Sequence, residues 1–256
     1  MSEPSDPLML LSYGATDVGR RREINEDAYM RDDQLGLWVV ADGMGGHAAG
    51  EVASQEAIDT VYGMVKRGKA ELRPHEVPDE RTLAAASRLL EGAVQAATYM
   101  VYAIGEMDKG KSGMGTTITA MMSLNGFVVT AQVGDSRIYQ IRDTQVTQLT
   151  EDHTLVAWQI KQGFITAEEA KHSRHKNVIT RAVGNRDYVQ VDTGVIELQL
   201  GDQYLLCSDG LHGYLRTEEI PALAASGGQE SVQRFIDLAN ARGGKDNITA
   251  ILVEVS

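Results

Sequence analysis

Residues Trp38 to Glu51 read WVVADGMGGHAAGE. An apolar run with the pattern of a buried strand stops at a carboxylate, and the eight residues after Asp42 hold four glycines, a methionine and a histidine. A lone acid at a strand end is ordinarily a turn residue, because Asp-Gly suits tight turns and the side chain can hydrogen-bond the backbone just ahead. Recurrence defeats that reading. Asp135 follows FVVTAQVG, Asp209 follows QYLLCS, Asp27 stands between REINE and AYM, and Asp246 lies in RGGKDN just before ITAILVEV. Carboxylates at the ends of apolar strands, mostly beside glycine, converge on one edge of a sheet core. There they repel one another and are costly to desolvate. A hard divalent cation removes that cost, since Mg²⁺ or Mn²⁺ prefers carboxylate, carbonyl and water oxygens. Gly43 also leaves room for a backbone carbonyl to approach such an ion.

Outward from this stretch the chain alternates legible helices and strands. Ile58, Val61, Tyr62 and Val65 fall at helical spacing, and Leu83, Leu90, Ala93, Ala97, Val101 and Ile104 repeat it between Glu80 and Ile104. The runs ITAMMSL, FVVTAQVG, SRIYQI and QVTQL follow with very short links, which predicts an antiparallel meander. Short helices and basic linkers fill Leu155 to Gly184. Strands return at VDTGVIELQL, QYLLCSD and ITAILVEV, with a helix over about 231–241 before the last. Helices grouped apart from antiparallel strands predict an α+β fold, with two sheets flanked by helices. The length of 256 residues with 43% hydrophobic content predicts a single domain over residues 1–256.

Composition narrows the function. A net charge of −12, from 36 acidic and 24 basic residues, argues against a nonspecific grip on nucleic acid or an anionic membrane. The single cysteine, Cys207, rules out an internal disulfide framework and a thiolate zinc cluster. No run is apolar for the length of a membrane span, and MSEPSDPLMLLSYG does not resemble a secretory signal. The expectation is a cytoplasmic protein.

Three phosphate-chemistry patterns fail on context. GEMDKGKS, Gly105 to Ser112, spells a nucleotide phosphate loop, but a long helix precedes it where a strand is needed. Gly43-x-Gly45-x-x-Ala48 imitates a dinucleotide fingerprint, yet Asp42 directly before it repels a pyrophosphate, and no second acid-ended strand follows at the required distance. Cys207 lacks the arginine a cysteine phosphatase wants six residues on, where Gly213 stands, and reads as a small core residue.

The set GRRREINEDA, VVADGMGGHAAGE, GMGTT, VGDSRIY, LLCSDGL and GGKDNIT resembles, in order and spacing, the metal-dependent protein phosphatases of type 2C, in their bacterial branch, over essentially the whole chain. The resemblance implies an α-β-β-α sandwich with a dinuclear metal centre at one end of the paired sheets. It implies that Asp42 bridges two Mn²⁺ or Mg²⁺ ions, that Asp209 and Asp246 complete the first site, and that Asp27 with the Gly43 carbonyl serves the second. Asp135 and Asp209 are then expected to hold a weaker third ion. Arg22 matches the phosphate-gripping arginine. Many eukaryotic relatives carry a histidine at the position of Met44, taken as the general acid; here His47 stands three residues later and is a candidate for proton transfer or hydrogen bonding.

The implied activity is hydrolysis of phosphoserine and phosphothreonine on proteins by a metal-activated water, opposing serine/threonine kinases. The alternative is a non-catalytic, metal-stabilised sensing module, which predicts a missing ligand; none is missing. A monomer is expected, with phosphorylated proteins as partners and neither nucleic acid nor membrane. A flap subdomain is expected over about 152–186, where His153, His172, Arg174, His175, Lys176 and Arg186 concentrate basic groups in an acidic chain.

Overall fold

The computed structural model describes residues 8–45, 49–72 and 78–256. Eleven strands are present among them: β1 (Leu10–Asp17), β2 (Asp27–Asp32), β3 (Leu37–Met44), β4 (Gly115–Thr116), β5 (Ile118–Leu124), β6 (Phe127–Val133), β7 (Arg137–Arg142), β8 (Gln145–Gln148), β9 (Asp192–Glu197), β10 (Gln203–Cys207) and β11 (Ile248–Val255). The helices are α1 (Ala49–Gly68), α2 (Glu80–Met107), α3 (Leu155–Lys161), α4 (Ala167–Lys171), α5 (Asp209–His212), α6 (Ile220–Ala224) and α7 (Gly228–Ala241). One sheet has five strands in the order β1-β11-β10-β7-β8; the other has six, with β2-β3-β5-β6-β9 side by side and β4 against β3.

Period-two alternation in β3 explains the layering. Leu37, Val39 and Ala41 join the core beneath α1 and α2, whereas Trp38 and Val40 join Met121, Ile138, Leu206, Ile251 and Val253 between the sheets. A third core packs α7 and α6 on the far side, with Phe235 and Ile236 against Leu205, Ala250 and Leu252. The result is the α-β-β-α sandwich expected from the sequence. At the start of α2, the Asp79 side chain accepts from the Thr82 amide and satisfies one of the orphan donors of the first turn.

The predicted meander is replaced by two hairpins in different sheets. β5 pairs with β6 and β7 with β8, but the chain changes sheets at Gly134-Asp135-Ser136. Gly134 has φ of +104°, and a Cβ there would lie 2.4 Å from Thr117 Cγ2, so glycine is required for the crossing. The look-alike phosphate loop also resolves. Gly105 lies in the last turn of α2, and Lys109–Lys111 forms a single 3₁₀ turn, so no strand leads into the motif.

Candidate metal centre

Asp42 keeps the parity of Trp38 and Val40, so it faces the space between the sheets where the apolar layer ends. Asp27 is its direct antiparallel partner, two carboxylates opposite one another on one face. Such like-charge pairs are destabilising unless something lies between them. The Asp42 backbone is fixed from both sides: its amide donates to Thr117 Oγ1 at 2.9 Å, and its carbonyl accepts from the Thr117 amide at 2.8 Å and from Thr116 Oγ1 at 2.9 Å. The GMGTT motif therefore holds the acid in place.

Asp209 begins α5 directly after β10, and Asp246 stands two residues before β11. Glycine joins them closely, since a Cβ on Gly210 would lie 1.8 Å from the Asn247 carbonyl oxygen. The Asp42 and Asp209 carboxyls lie within hydrogen-bonding reach. Burial, reinforced by Asp27, Asp209, Asp135 and Asp246, pushes the Asp42 carboxyl well above the ordinary carboxylate range. Burial also raises Asp27 to about 7, against hydroxyl hydrogen bonds that pull it down and with the help of Asp209 and Asp246. Asp209 is raised by burial and by Asp246. A set of acids that cannot all ionise without positive charge between them is the donor chemistry a hard cation needs.

A further oxygen fits the same role. Glu26 Oε1 is buried without a hydrogen-bond partner, and a Cβ on Gly50 would meet it at 2.3 Å. A Cβ on Gly43 would lie 2.1 Å from the Gly50 carbonyl and 2.4 Å from that of Glu26. The glycines after Asp42 thus serve close approach between β3, the start of α1 and Glu26. Among the described residues no three His, Cys, Asp or Glu side chains close into a cage around one ion by themselves. Ions of the Mg²⁺ kind keep several waters, which would fill the positions that the side chains leave open.

Asp27 is more occupied than its neighbours. Its Oδ2 accepts from Ser208 Oγ at 2.8 Å and from Thr249 Oγ1 at 2.6 Å, hydroxyls contributed by the opposite sheet. Arg22 reaches the mouth of the cluster, 45% exposed, donating to Asp246 Oδ2 at 2.9 Å and lying 3.5 Å from Glu26 Oε2. Asp135, 6% exposed, is raised to about 7 by burial and then by Asp209 and Asp152. His47 lies outside the described residues.

Sequence reasoning passed over four residues here. Asn247 accepts from the Glu26 amide at 2.8 Å and donates to the Val18 and Ile24 carbonyls at 3.0 and 2.9 Å, so it ties the Arg22–Glu26 loop to Asp246. Its signal was the KDN triplet, in which only the acid received a role. Glu26 was masked by its neighbour Asp27. His212, three residues past Asp209, donates from Nε2 to the Asp135 carbonyl at 2.9 Å; burial brings this ring down to about 4, so it is neutral. His153 stands in the sequence among the basic residues of 152–186, but it is 5% exposed. Its Nδ1 accepts from the Gly134 amide at 3.1 Å, and its Nε2 lies 3.0 Å from Asp192 Oδ2.

Residues 18–253 match the family described as Protein phosphatase 2C. The chain is 39% identical over 246 residues to the serine/threonine phosphatase stp of Listeria innocua, covering 93% of each. Among solved structures, the serine/threonine phosphatase Stp1 from Staphylococcus aureus superposes with a TM-score of 0.85 at 33% identity over 100% of both chains. The catalytic domain of the serine threonine protein phosphatase PstP in complex with two manganese ions gives a TM-score of 0.82 at 36% identity, covering 97% of this chain and 99% of that one. Fold, acidic centre and these likenesses agree: the chain belongs to the protein phosphatase 2C family and is a serine/threonine protein phosphatase.

Proposed function

We propose that the acidic centre binds two Mn²⁺ or Mg²⁺ ions and that this loaded centre hydrolyses phosphoserine and phosphothreonine on proteins. The single observation that carries the reading is the convergence of Asp42, Asp27 and Asp209, acids raised above the ordinary carboxylate range by burial and then by their acidic neighbours, with Asp246 beside them at the mouth. The manganese-bound relative supports it by likeness. When bound, such a pair supplies a water acidic enough to attack phosphorus near neutral pH and positive charge against the transition state. Asp42, placed centrally, is the shared ligand, and Asp209 with Asp246 completes the first site. Glu26, with its open Oε1, joins Asp27 and the Gly43 carbonyl at the second. Ser208 and Thr249 hold Asp27 in one rotamer. Arg22, at the mouth, exchanges its bond to Asp246 for a bidentate grip on phosphate oxygens.

A third, weaker ion at Asp135 and Asp209 is part of the same reading, supported by the raised carboxyl of Asp135 and the fixing of its carbonyl by His212. His47 remains the candidate for proton transfer or hydrogen bonding in the loop. The same reading extends to a cytoplasmic monomer that opposes serine/threonine kinases in signalling; its one cysteine, buried and unpaired, fits a reducing compartment. No helix among the described residues is long and apolar enough to cross a membrane.

The test is hydrolysis of a phosphothreonine peptide with Mn²⁺ present. Asp42→Asn weakens both sites together and is expected to leave less than about one hundredth of the wild-type rate. Activity above a few per cent in the folded variant contradicts a shared ligand.

A further inference from the structure

A cavity of about 470 Å³ opens beside the acidic centre and runs under the flap. Its inner end is formed by Asp135, Asp209 and His212, at the margin of the acidic centre. Its outer walls differ in chemistry. Val156, Ala157 and Ile160 of α3 face Ala167 and Ala170 of α4, making an apolar slot. Lys171 and Lys176 stand at its rim. Lys171 pairs with Glu168 at 2.7 Å in an exposed contact worth little in water. Lys176 forms no ion pair among the described residues.

The cavity's base is rigid. Arg137 clamps Asp152 through Nε and Nη2 at 2.8 and 2.6 Å. His153 fixes the Gly134 amide, and backbone bridges join Thr154 to Ile179 and Thr116 to Val183. The outer helices carry exposed apolar groups, with Ile160 39% and Trp158 49% exposed. A slot continuous with the catalytic centre, apolar along its walls and cationic at its rim within a chain of net charge −12, is shaped for a specific kind of polypeptide.

We propose that this groove selects phosphorylated protein segments carrying an acidic side chain and a neighbouring apolar side chain beside the phosphorylated residue, with Lys171 and Lys176 meeting the acid and the Val156–Ile160 wall meeting the apolar group. The proposal rests on the phosphatase reading above: the phosphoryl group lies at Arg22 and the acidic centre, and the segment next to it passes Asp135 and Asp209 to lie along the slot. Charge complementarity commits the occupant, because a basic segment would be repelled by the rim lysines.

The experiment compares phosphothreonine peptides identical except for glutamate or lysine at the flanking positions, with p-nitrophenyl phosphate as a third substrate, all with Mn²⁺ at low salt. The wild type is expected to show kcat/KM about three- to ten-fold higher for the glutamate peptide, with the ratio shrinking as salt rises. In Lys176→Glu the ratio falls, and in Lys171→Glu/Lys176→Glu it reaches one or inverts. Equal kcat/KM on the two peptides in a wild type that turns over all three substrates overturns the selectivity alone. A preference that both variants retain overturns the assignment to the rim lysines. No turnover of any substrate overturns the catalytic reading and the selectivity with it.

Discussion

The layer between the two sheets has two ends made by the same strands, and they obey opposite rules. At one end Trp38, Met121, Val128, Ile138, Tyr204, Leu206, Ile251 and Val253 are completely buried and pack sheet on sheet. A few residues further along the same strands and parities, the inward positions become Asp42, Thr119, Gln132, Ser136, Ser208 and Thr249, with Asp27 among them. Here the sheets are joined by hydrogen bonds. Thr249 Oγ1 and Ser208 Oγ donate to Asp27 Oδ2 at 2.6 and 2.8 Å, Thr117 Oγ1 meets Ser136 Oγ at 2.9 Å, and Gln132 Nε2 donates to the Ser136 carbonyl at 2.6 Å. One end holds the fold together; the other uses that rigidity to keep acids close enough to repel. A packed core lets a strained cluster persist, and such clusters concentrate at functional sites.

The comparison can be broken by exchanging what each end depends on. The largest expected change in stability is in the apolar end. Leu206→Ala opens a cavity where no solvent enters and is expected to cost about 2–5 kcal/mol in denaturant unfolding, while the number of Mn²⁺ sites stays as in the wild type. Loss of Mn²⁺ binding in the folded variant would show that the two ends are not separable.

The polar end is expected to show itself in pH. Asp27 and Asp135 stand at about 7 in the folded chain without metal, above their unfolded values near 4. The folded state therefore binds more protons than the unfolded state between these values. Metal-free stability is fully present below about pH 4 as far as these groups are concerned, and is lost as pH rises through about 7. Saturating Mn²⁺ is expected to remove that decline, because the cation favours the ionised acids. Urea unfolding at intervals from pH 4 to 8, with and without Mn²⁺, decides it. A metal-free stability that rises across this window contradicts the repulsive cluster.

A smaller effect is expected at the margin of the centre. Asp135→Asn removes one acid from the peripheral position, so turnover falls while calorimetry still shows the tightly held core ions. The same change relieves repulsion and is expected to leave the metal-free protein at least as stable at pH 7. If core-ion binding is lost, Asp135 belongs to the central pair.

The sequence made most of this layout legible because two signals coincided: period-two alternation in ADG-type strand ends, and acids recurring at each of them. Asp27, Asp42, Asp209 and Asp246 are all found at one end of the sheets. What escaped depends on contacts that no local pattern encodes. The β6-to-β7 link has the length of a hairpin turn, and only the packing of Gly134 on Thr117 and the pairing of β7 with β10 send the chain to the other sheet. β1 was not anticipated at LLSYGATD; it exists through its pairing with β11 at the other end of the chain. Glu26 gains its place from Gly50, and Asn247 from the carbonyls of Val18 and Ile24. His153 looked like one more basic residue of a surface loop until its burial against Gly134 and Asp192 was seen.

The central claim is that repulsion among the acids is resolved by two bound cations sharing Asp42. Calorimetric titration of metal-free protein with Mn²⁺ at pH 7, followed by anomalous scattering from crystals grown with Mn²⁺, measures it directly. The account predicts two tightly held ions on either side of the Asp42 carboxylate in the wild type, and loss of tight binding at both positions in Asp42→Asn. A single ion, or two ions of which neither contacts Asp42, would contradict it.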